Sequence, residues 1–164
     1  PLLFPLPFMD DIDKTLLALL QENVDLPLTE IAERVKLSMT PCWRRIQRLE
    51  KQGYIQRRVA LLDPVKLNVG VTVFVLLSTN RHNQEWFEKL RAIVADIPEV
   101  VDFYRMSGNI DYLLRIVVPD IAAYDAVYRK LTSQIEIFGV NSSFAMEEIK
   151  HTTALPLEYI KTDD

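Results

Sequence analysis

Residues 38–53 have the sequence SMTPCWRRIQRLEKQG, and this stretch decides how the first third of the chain folds. Cys42, Ile46 and Leu49 follow i, i+4, i+7 spacing, which places them on one inward face of a helix. The opposite stripe of that helix is polar and mostly basic, and it comprises Thr40, Arg44, Gln47, Arg48 and Lys51. The spacing therefore predicts an amphipathic helix with a basic outer face.

Two shorter signals on the N-terminal side complete the motif. Apolar residues recur at helical spacing from Asp10 to Gln21, and Thr29 is a suitable N-cap for a short second helix. Ser38 is the expected cap of the third helix, and Gly53 is placed to end it in a left-handed conformation. Three short helices with a basic outer face on the last one predict a helix-turn-helix domain.

The charge distribution indicates the partner of this domain. Eight of the nineteen lysines and arginines lie in the 25 residues from Arg34 to Arg58, with Glu50 as the one acid among them. The other 139 residues carry 11 basic and 22 acidic side chains, so an acidic chain concentrates its positive charge on one segment. Double-stranded DNA is the favoured polyanion, and the alternative is a basic helix that is merely solvated.

The expected DNA contacts come from the third helix and the segment after it. Thr40 and Gln47 are candidate base readers, whereas Arg45 lies off the main stripe and is expected to reach phosphate only. Residues 54–62 are strand-like and predict a wing or connecting strand. The full set of expected DNA-binding residues is Ser38, Thr40, Arg44, Arg45, Gln47, Arg48, Lys51, Arg57 and Arg58.

The remaining hundred residues predict a β-α-β-β-α-β order, which is the ferredoxin-like arrangement. The strands are expected at 71–78, 100–106, 111–118 and 140–146, with helices at 85–96 and from Pro119 onward. The fold class is thus α+β, with a winged helix-turn-helix domain at 10–63 and a ferredoxin-like domain at 64–164. Residues 1–9 are expected to be an N-terminal extension or a remnant of cloning.

The central strands of this sheet are apolar on both of their alternating faces. One layer of helices covers only one face, so the other face needs a partner, and a second copy of the same sheet would serve. The sequence therefore predicts a homodimer through the C-terminal domain. The tail at 148–157 is expected either to add an edge strand or to lie across the partner.

Several classes of function lack support in the sequence. Cys42 is the one cysteine and is expected to be a small buried hydrophobe, and the two histidines lack ligand-spaced partners, so no metal is expected. No apolar run reaches transmembrane length. Residues 1–8 form a poor signal peptide, and Met9 resembles a natural start, so a soluble cytoplasmic protein is expected.

The turn at residues 107–110 is a second candidate site. Gly108 lacks a side chain, so a ligand carboxylate can approach backbone N–H groups there, and Asp111 can accept hydrogen bonds from a ligand ammonium group. Ser107 and Tyr112 flank the position. The alternative is an ordinary hairpin turn in which Asp111 caps its own backbone.

The chain resembles the Lrp/AsnC family of transcription regulators over roughly Asp10 to Leu157. The resemblance lies in ordered blocks: residues 12–55, 61–70 (LLDPVKLNVG), 98–100 (PEV), 106–120 (MSGNIDYLLRIVVPD) and 142–157 (SSFAMEEIKHTTALPL). TPCW at 40–43 and SSFAME at 142–147 are most similar to the DecR-like branch, which is associated with cysteine-responsive control of cysteine breakdown.

This resemblance implies a DNA-binding domain and a regulatory domain in dimers that assemble further, often into octamers. It also implies a small amino-acid effector bound between dimers, with the family's Gly-x-x-Asp turn at Gly108 to Asp111 and with cysteine as the first candidate, ahead of leucine or methionine. Two rival functions are weighed against it: a metabolic enzyme, for which no nucleophile–base pair or phosphate loop is found, and an architectural, chromatin-like protein that compacts DNA without reading sequence.

Overall fold

A computed structural model of the chain describes residues 9–160, which divide into two compact units. The first unit contains residues 9–60 together with residues 150–160, and the second contains residues 61–149. The first is built from helices and the second from a sheet and two helices, so the predicted α+β class is confirmed. No helix in this part of the chain is long and apolar enough to cross a membrane.

Three helices form the first unit: α1 (Asp11–Glu22), α2 (Leu28–Arg34) and α3 (Met39–Lys51). They surround a single apolar cluster, to which α3 contributes Cys42, Ile46 and Leu49, as its spacing predicts. The buried members from the other segments are Met9, Leu16, Leu17, Leu20, Ile31, Ala32 and Val35. This core holds α3 with its polar stripe directed outward.

The helix ends differ in part from the predicted ones. Thr29 is not a cap, because α2 already begins at Leu28 with Pro27 as its N-cap residue, where the proline ring holds φ at −58°. Ser38 is the N-cap residue of α3, but its side chain makes no capping hydrogen bond. Gly53 has φ of +80°, which confirms the left-handed conformation after α3.

The predicted wing or connecting strand at residues 54–62 is wrong for the described chain. Residues 56–63 form neither helix nor strand, and Val59, Leu61 and Leu62 are exposed. The segment has β propensity, but no strand among residues 9–160 pairs with it, and a strand needs a hydrogen-bonded neighbour. It ends at a turn in which the Asp63 carboxylate accepts hydrogen bonds from the next backbone N–H groups.

The second unit has the predicted β-α-β-β-α-β order. Its elements are β1 (Val71–Ser78), α4 (Gln84–Ala95), β2 (Val100–Arg105), β3 (Tyr112–Val118), α5 (Ile121–Thr132) and β4 (Gly139–Phe144). The four strands form one antiparallel sheet in the order β2-β3-β1-β4. Alternate residues of β1 and β3 share one core with α4 and α5, so both helices cover the same face.

Neither α4 nor α5 covers the other face of this sheet, which is called the uncovered face. In register across β1 and β3, Phe74 lies opposite Arg115 and Leu76 opposite Leu113 on that face. Phe74 is exposed, and Leu76 and Leu113 are partly so. Arg115 forms an ion pair with Asp102 of β2. This face therefore combines apolar residues of β1 and β3 with one ion pair and with the polar residues Asn141 and Ser143 of β4.

The C-terminal tail adds no edge strand to the sheet, so the first of its two expected paths is wrong, and a path across the partner stays a prediction. Residues 150–160 form no strand and instead lie against the first unit, where Leu157 and Ile160 pack on its apolar cluster. Leu155 and Gln21 of α1 exchange two hydrogen bonds of 3.0 Å each. By its contacts this tail belongs with the helical unit, whereas the sequence placed it in the domain at 64–164.

Candidate DNA interface and effector turn

The outer face of α3 carries the cluster of polar residues that the spacing predicts. Thr40, Arg44, Gln47 and Lys51 are all exposed, and each belongs to a helix whose opposite face is buried. Arg44 and Lys51 form no ion pair with any residue from 9 to 160, so their charges are available to an outside anion. A rigid helix that presents such cations suits the major groove of duplex DNA.

Arg45 and Arg48 are placed differently, because both contact acidic residues at the start of α1. Arg45 Nη1 lies 2.6 Å from Asp10 Oδ2 and 3.0 Å from Asp13 Oδ1, and Arg48 pairs with the second oxygen of Asp13. The Asp13 side chain is only 1% exposed, whereas Arg45 and Arg48 remain 26% and 41% exposed. The two arginines therefore join α3 to α1, a role that the sequence analysis missed.

These contacts change the ionisation of the groups involved. Burial alone would raise the pKa of Asp10, but hydrogen bonds from the Arg45 guanidinium and the Asp13 backbone N–H lower its pKa below the usual value. The hydrogen bond to Asp10 raises the pKa of Arg45. Asp10 and Asp13 also form a capping box at the start of α1. The acidic pair thus caps one helix and binds two arginines of another.

The basic residues after α3 are also only partly available. Arg58 Nη2 lies 2.7 Å from Glu50 Oε1, and Gln47 donates a 2.9 Å hydrogen bond to the other oxygen of Glu50. Arg57 is exposed and forms no ion pair with the described residues. Ser38 is exposed at the N-terminal end of α3. Of the predicted cations, Arg44, Lys51 and Arg57 are therefore the ones without a competing carboxylate in this part of the chain.

Two large apolar side chains on α3 were not assigned a role from sequence. Met39 is 53% exposed and Trp43 is 52% exposed, although every other large apolar residue of α3 is buried in the core. Neither belongs to the partly buried residues that pack on that core. Met39 is spaced i, i+3, i+7 with Cys42 and Ile46, so spacing alone would have placed it on the inward face, and only the structure shows that it is exposed.

The turn between β2 and β3 has an open backbone at Gly108. This residue has φ of +114°, and no atom lies within 4 Å of the point where a Cβ would stand. Asp111 O accepts a hydrogen bond from Met106 N at 2.8 Å, which closes the hairpin, and Asp111 N donates to Leu77 O of β1 at 2.9 Å. Ser107 is exposed beside the glycine. The position has room for a small ligand next to backbone N–H groups.

The Asp111 carboxylate is already partly engaged. Its Oδ2 accepts a 2.8 Å hydrogen bond from the backbone N–H of Thr79, just beyond β1, and its Oδ1 lies 3.6 Å from His82 Nδ1. The alternative of a carboxylate that caps its own backbone is therefore not what the structure has. Asp111 instead ties the hairpin to the end of β1, with Oδ1 as the oxygen less occupied by the backbone.

Tyr112 does not lie beside this turn as an exposed neighbour. Its ring is buried under α4, with ring centroids 5.7 Å from Trp86, 6.0 Å from Phe87 and 5.6 Å from Phe103. The alternation of β3 explains this position, because Tyr112 shares a face with Leu114 and the rest of the core. Its ring packs in the core, while Ser107, Gly108 and Asp111 remain at the turn.

Comparison with known domains agrees with both units. The AsnC-type helix-turn-helix domain matches residues 9–50, and the Lrp/AsnC ligand binding domain matches residues 72–155. The chain belongs to the Lrp/AsnC family. Members of this family are DNA-binding transcription regulators and not enzymes, so the enzyme alternative is set aside. Among residues 9–160, no group of histidine, cysteine or acidic side chains has the arrangement of a metal site.

Relatives within the Lrp/AsnC family cover almost the whole chain. The DNA-binding transcriptional activator DecR of Escherichia coli K12 is 48% identical over 151 residues, which is 92% of this chain and 99% of that protein. The glutamate uptake regulatory protein of Zymomonas mobilis is 46% identical and covers 91% of both chains. The similarity to the DecR-like branch is thus confirmed at the level of whole proteins.

Solved Lrp/AsnC structures support the fold of both units. An AsnC family regulator from Agrobacterium tumefaciens is 57% identical, with a TM-score of 0.90 over 93% of this chain and 100% of that one. A transcriptional regulator from Neisseria meningitidis, solved as a complex with L-methionine, is 38% identical, with a TM-score of 0.87 over 92% of this chain and 97% of that one.

Proposed function

We propose that this chain is a sequence-specific regulator of amino-acid metabolism whose DNA binding or assembly responds to a small amino acid, with cysteine as the first candidate. The observation that carries the proposal is the outer face of α3, where Arg44 and Lys51 are exposed without carboxylate partners in the described chain. The family supplies the DNA-binding activity, and this face supplies residues that would perform it.

Arg44, Lys51 and Arg57 are the proposed principal cationic contacts. Thr40 and Gln47 lie on the same face and are suited to hydrogen bonds with base edges. Ser38 and Arg58 are proposed to contact phosphates at the two ends of the interface. Arg45 and Arg48 would act mainly by holding α3 against α1, although the exposed part of Arg48 can still approach a phosphate.

The test is a gel-shift titration at several salt concentrations, using the region upstream of the gene and random duplex DNA of equal length. Arg44→Ala should weaken specific binding by about 1–3 kcal/mol if the arginine contacts a guanine. Lys51→Ala should weaken binding to both duplexes alike, and it should reduce the slope of log affinity against log salt concentration by about one. Arg91→Ala, on α4 of the other unit, is the matched control.

Two results would contradict the proposal. Unchanged affinity in both Arg44→Ala and Lys51→Ala would show that α3 is not the DNA-contacting helix. Equal affinity of the wild-type protein for the upstream region and for random DNA would favour the architectural, DNA-compacting alternative, because that alternative binds without sequence preference.

The effector is proposed to bind at the turn of Ser107, Gly108 and Asp111. Backbone N–H groups near Gly108 would receive its carboxylate, and Asp111 Oδ1 would accept hydrogen bonds from its ammonium group. The Neisseria structure with L-methionine shows that one related regulator was obtained with an amino acid. Tyr112 would contribute by supporting the hairpin from the core.

Calorimetry with cysteine, leucine and methionine tests this site. Asp111→Asn keeps the size of the side chain and an acceptor for the Thr79 N–H, so the fold should survive while the ammonium contact weakens. We expect at least about a tenfold loss of affinity, which corresponds to roughly 1.4 kcal/mol. Asp125→Asn, an exposed acid on α5, is the control. Equal amino-acid binding by Asp111→Asn and wild type would contradict the site.

The uncovered face of the sheet is proposed to pair with a second copy, and the dimers to assemble further, as far as octamers. Phe74, Leu76 and Leu113 form its apolar part. Leu113→Asp should shift the protein toward monomers in sedimentation velocity, because the charge would be buried without a partner. Sedimentation with and without cysteine then tests whether the effector changes assembly, which requires different affinities for the assembly states.

A further inference from the structure

One feature of α3 is not explained by phosphate contacts or by the core. Met39 and Trp43 are each more than half exposed, and they lie one helical turn apart. Apolar groups of this size are usually buried, and exposed ones grouped together commonly mark a contact surface. The remaining large apolar residues of α3 are at most 5% exposed. The helix is therefore well packed on the core, and the exposure of Met39 and Trp43 is not a result of poor packing.

The position of the pair on α3 identifies the contact. Met39, Trp43 and Gln47 follow at intervals of four residues and so form one row along the helix. Arg44, next to Trp43 in sequence, also faces outward without an ion partner among the described residues, whereas Arg45 and Arg48 turn toward α1. The exposed apolar pair therefore borders the polar stripe that carries the available cations, and the proposed base reader Gln47 continues its row into that stripe.

The chemistry of duplex DNA then restricts what such a pair can bind. Phosphates and most base edges offer only charged or hydrogen-bonding groups, and the thymine C5-methyl group is the apolar feature of the major groove. Trp43 presents a broad apolar ring and one N–H donor, and Met39 presents a flexible apolar chain that adapts to its partner. A protein partner is a less suitable occupant, since the adjoining surface carries unpaired positive charge that matches a polyanion.

We propose that Met39 and Trp43 contact thymine methyl groups in the major groove and that they give the operator its preference for thymine at those positions. This inference rests on the proposed DNA-binding role of α3. It adds an apolar component to recognition and assigns it to two residues beyond the polar set. Because each dimer would present two copies of α3, the preference should appear in both half-sites.

The test uses the tightest-binding duplex recovered from a random pool, with each thymine replaced in turn by deoxyuridine, which lacks only the methyl group. For the wild-type protein we expect about a fourfold loss of affinity at one or two thymines per half-site, as for burial of one methyl group. Trp43→Ala and Met39→Ala should bind the thymine duplex more weakly, and the deoxyuridine effect at the contacted position should disappear. Ile121→Ala, at an apolar residue of α5 that is even more exposed, should leave both affinities unchanged.

The outcomes separate this inference from the function on which it rests. If no deoxyuridine replacement weakens binding while Arg44→Ala does, α3 binds DNA but the methyl contact is refuted. If Arg44→Ala and Lys51→Ala also have no effect, the DNA-binding role of α3 itself fails. If Trp43→Ala preserves DNA affinity and the deoxyuridine response but alters sedimentation, the pair is a protein contact and the inference is overturned.

Fluorescence gives an independent readout that does not depend on affinity. The protein has two tryptophans, Trp43 on the surface of α3 and Trp86 in the core of the other unit. Acrylamide should quench the emission of Trp43 in the free protein, and the thymine duplex should protect it. Trp43→Phe provides the baseline from Trp86. An unchanged quenching constant on saturation with the duplex would contradict the proposed contact.

Discussion

The strongest prediction concerns Asp13, whose carboxylate binds Arg45 and Arg48 from a nearly fully buried position. Removing one partner of a buried ion pair commonly costs about 3–5 kcal/mol, because the remaining charge is left without compensation. Here the cost should be smaller. Arg45 keeps its 2.6 Å contact with Asp10, and Arg48 is 41% exposed and can be hydrated. We therefore expect Asp13→Ala to lower the free energy of unfolding of the helical unit by about 2–3 kcal/mol.

Asp11→Ala is the matched control, because Asp11 also lies in the first turn of α1 but is exposed. Its loss should cost about 0.3–1 kcal/mol, the value of an acidic side chain near a helix N-terminus. Native-state hydrogen exchange on the amides of α1 and α3 measures the effect in this unit alone. The double variant Asp13→Ala/Arg48→Ala should cost less than the sum of the single variants, since the pair is removed together.

Two results would refute this reasoning. A loss for Asp13→Ala no larger than that for Asp11→Ala would mean that the buried pair contributes little beyond helix capping. Strict additivity in the double variant would mean that Asp13 and Arg48 do not interact energetically in solution.

Three further predictions concern other groups. The pKa of Asp10 is lowered in the folded state, so its carboxylate stabilises the fold above about pH 4, and this stabilisation is lost as the pH falls through the folded-state pKa. Asp10→Asn should therefore reduce the dependence of the unfolding free energy on pH in the acid range. An unaltered dependence would contradict this. Burial raises the pKa of the Cys42 thiol, so a disulfide reagent at pH 8 should leave it unmodified until guanidinium chloride is added. Rapid reaction of the native protein would show that the core around Cys42 opens to solvent. Tyr112→Ala should destabilise the sheet unit by about 3–5 kcal/mol in urea titrations, because a buried aromatic ring is lost, whereas Tyr112→Phe should cost far less.

The spacing of residues within each segment was sufficient to predict the order of the helices and strands and the faces that they bury. The β-α-β-β-α-β order is confirmed, and the bounds of β1 agree with the predicted residues 71–78. The inward face of α3 is also confirmed at Cys42, Ile46 and Leu49. These features depend on spacing within one element, where the period of the backbone decides which side chains share a face.

The partners of the polar residues depended on the tertiary structure. Arg45 and Arg48 contact Asp10 and Asp13 across about 35 residues of sequence, and Asp111 reaches Thr79 across 32. Spacing within α3 identified its outward stripe, but it could not show that one side of that stripe faces α1. A long charged side chain binds whichever opposite charge the fold brings near it, and that is a property of packing between elements.

The same division holds for the segments outside regular structure. The sequence indicates β propensity in residues 54–62 and mixed polarity in the tail, but a strand forms only where a neighbouring strand supplies hydrogen bonds. In this chain residues 56–63 have no such neighbour, and the tail packs on the helical unit through Leu157 and Ile160. Sequence alone thus determined the family, the order of elements and their buried faces, because these follow from local periodicity and ordered motifs. The tertiary structure alone decided which cations remain available for DNA, because that depends on where distant carboxylates lie.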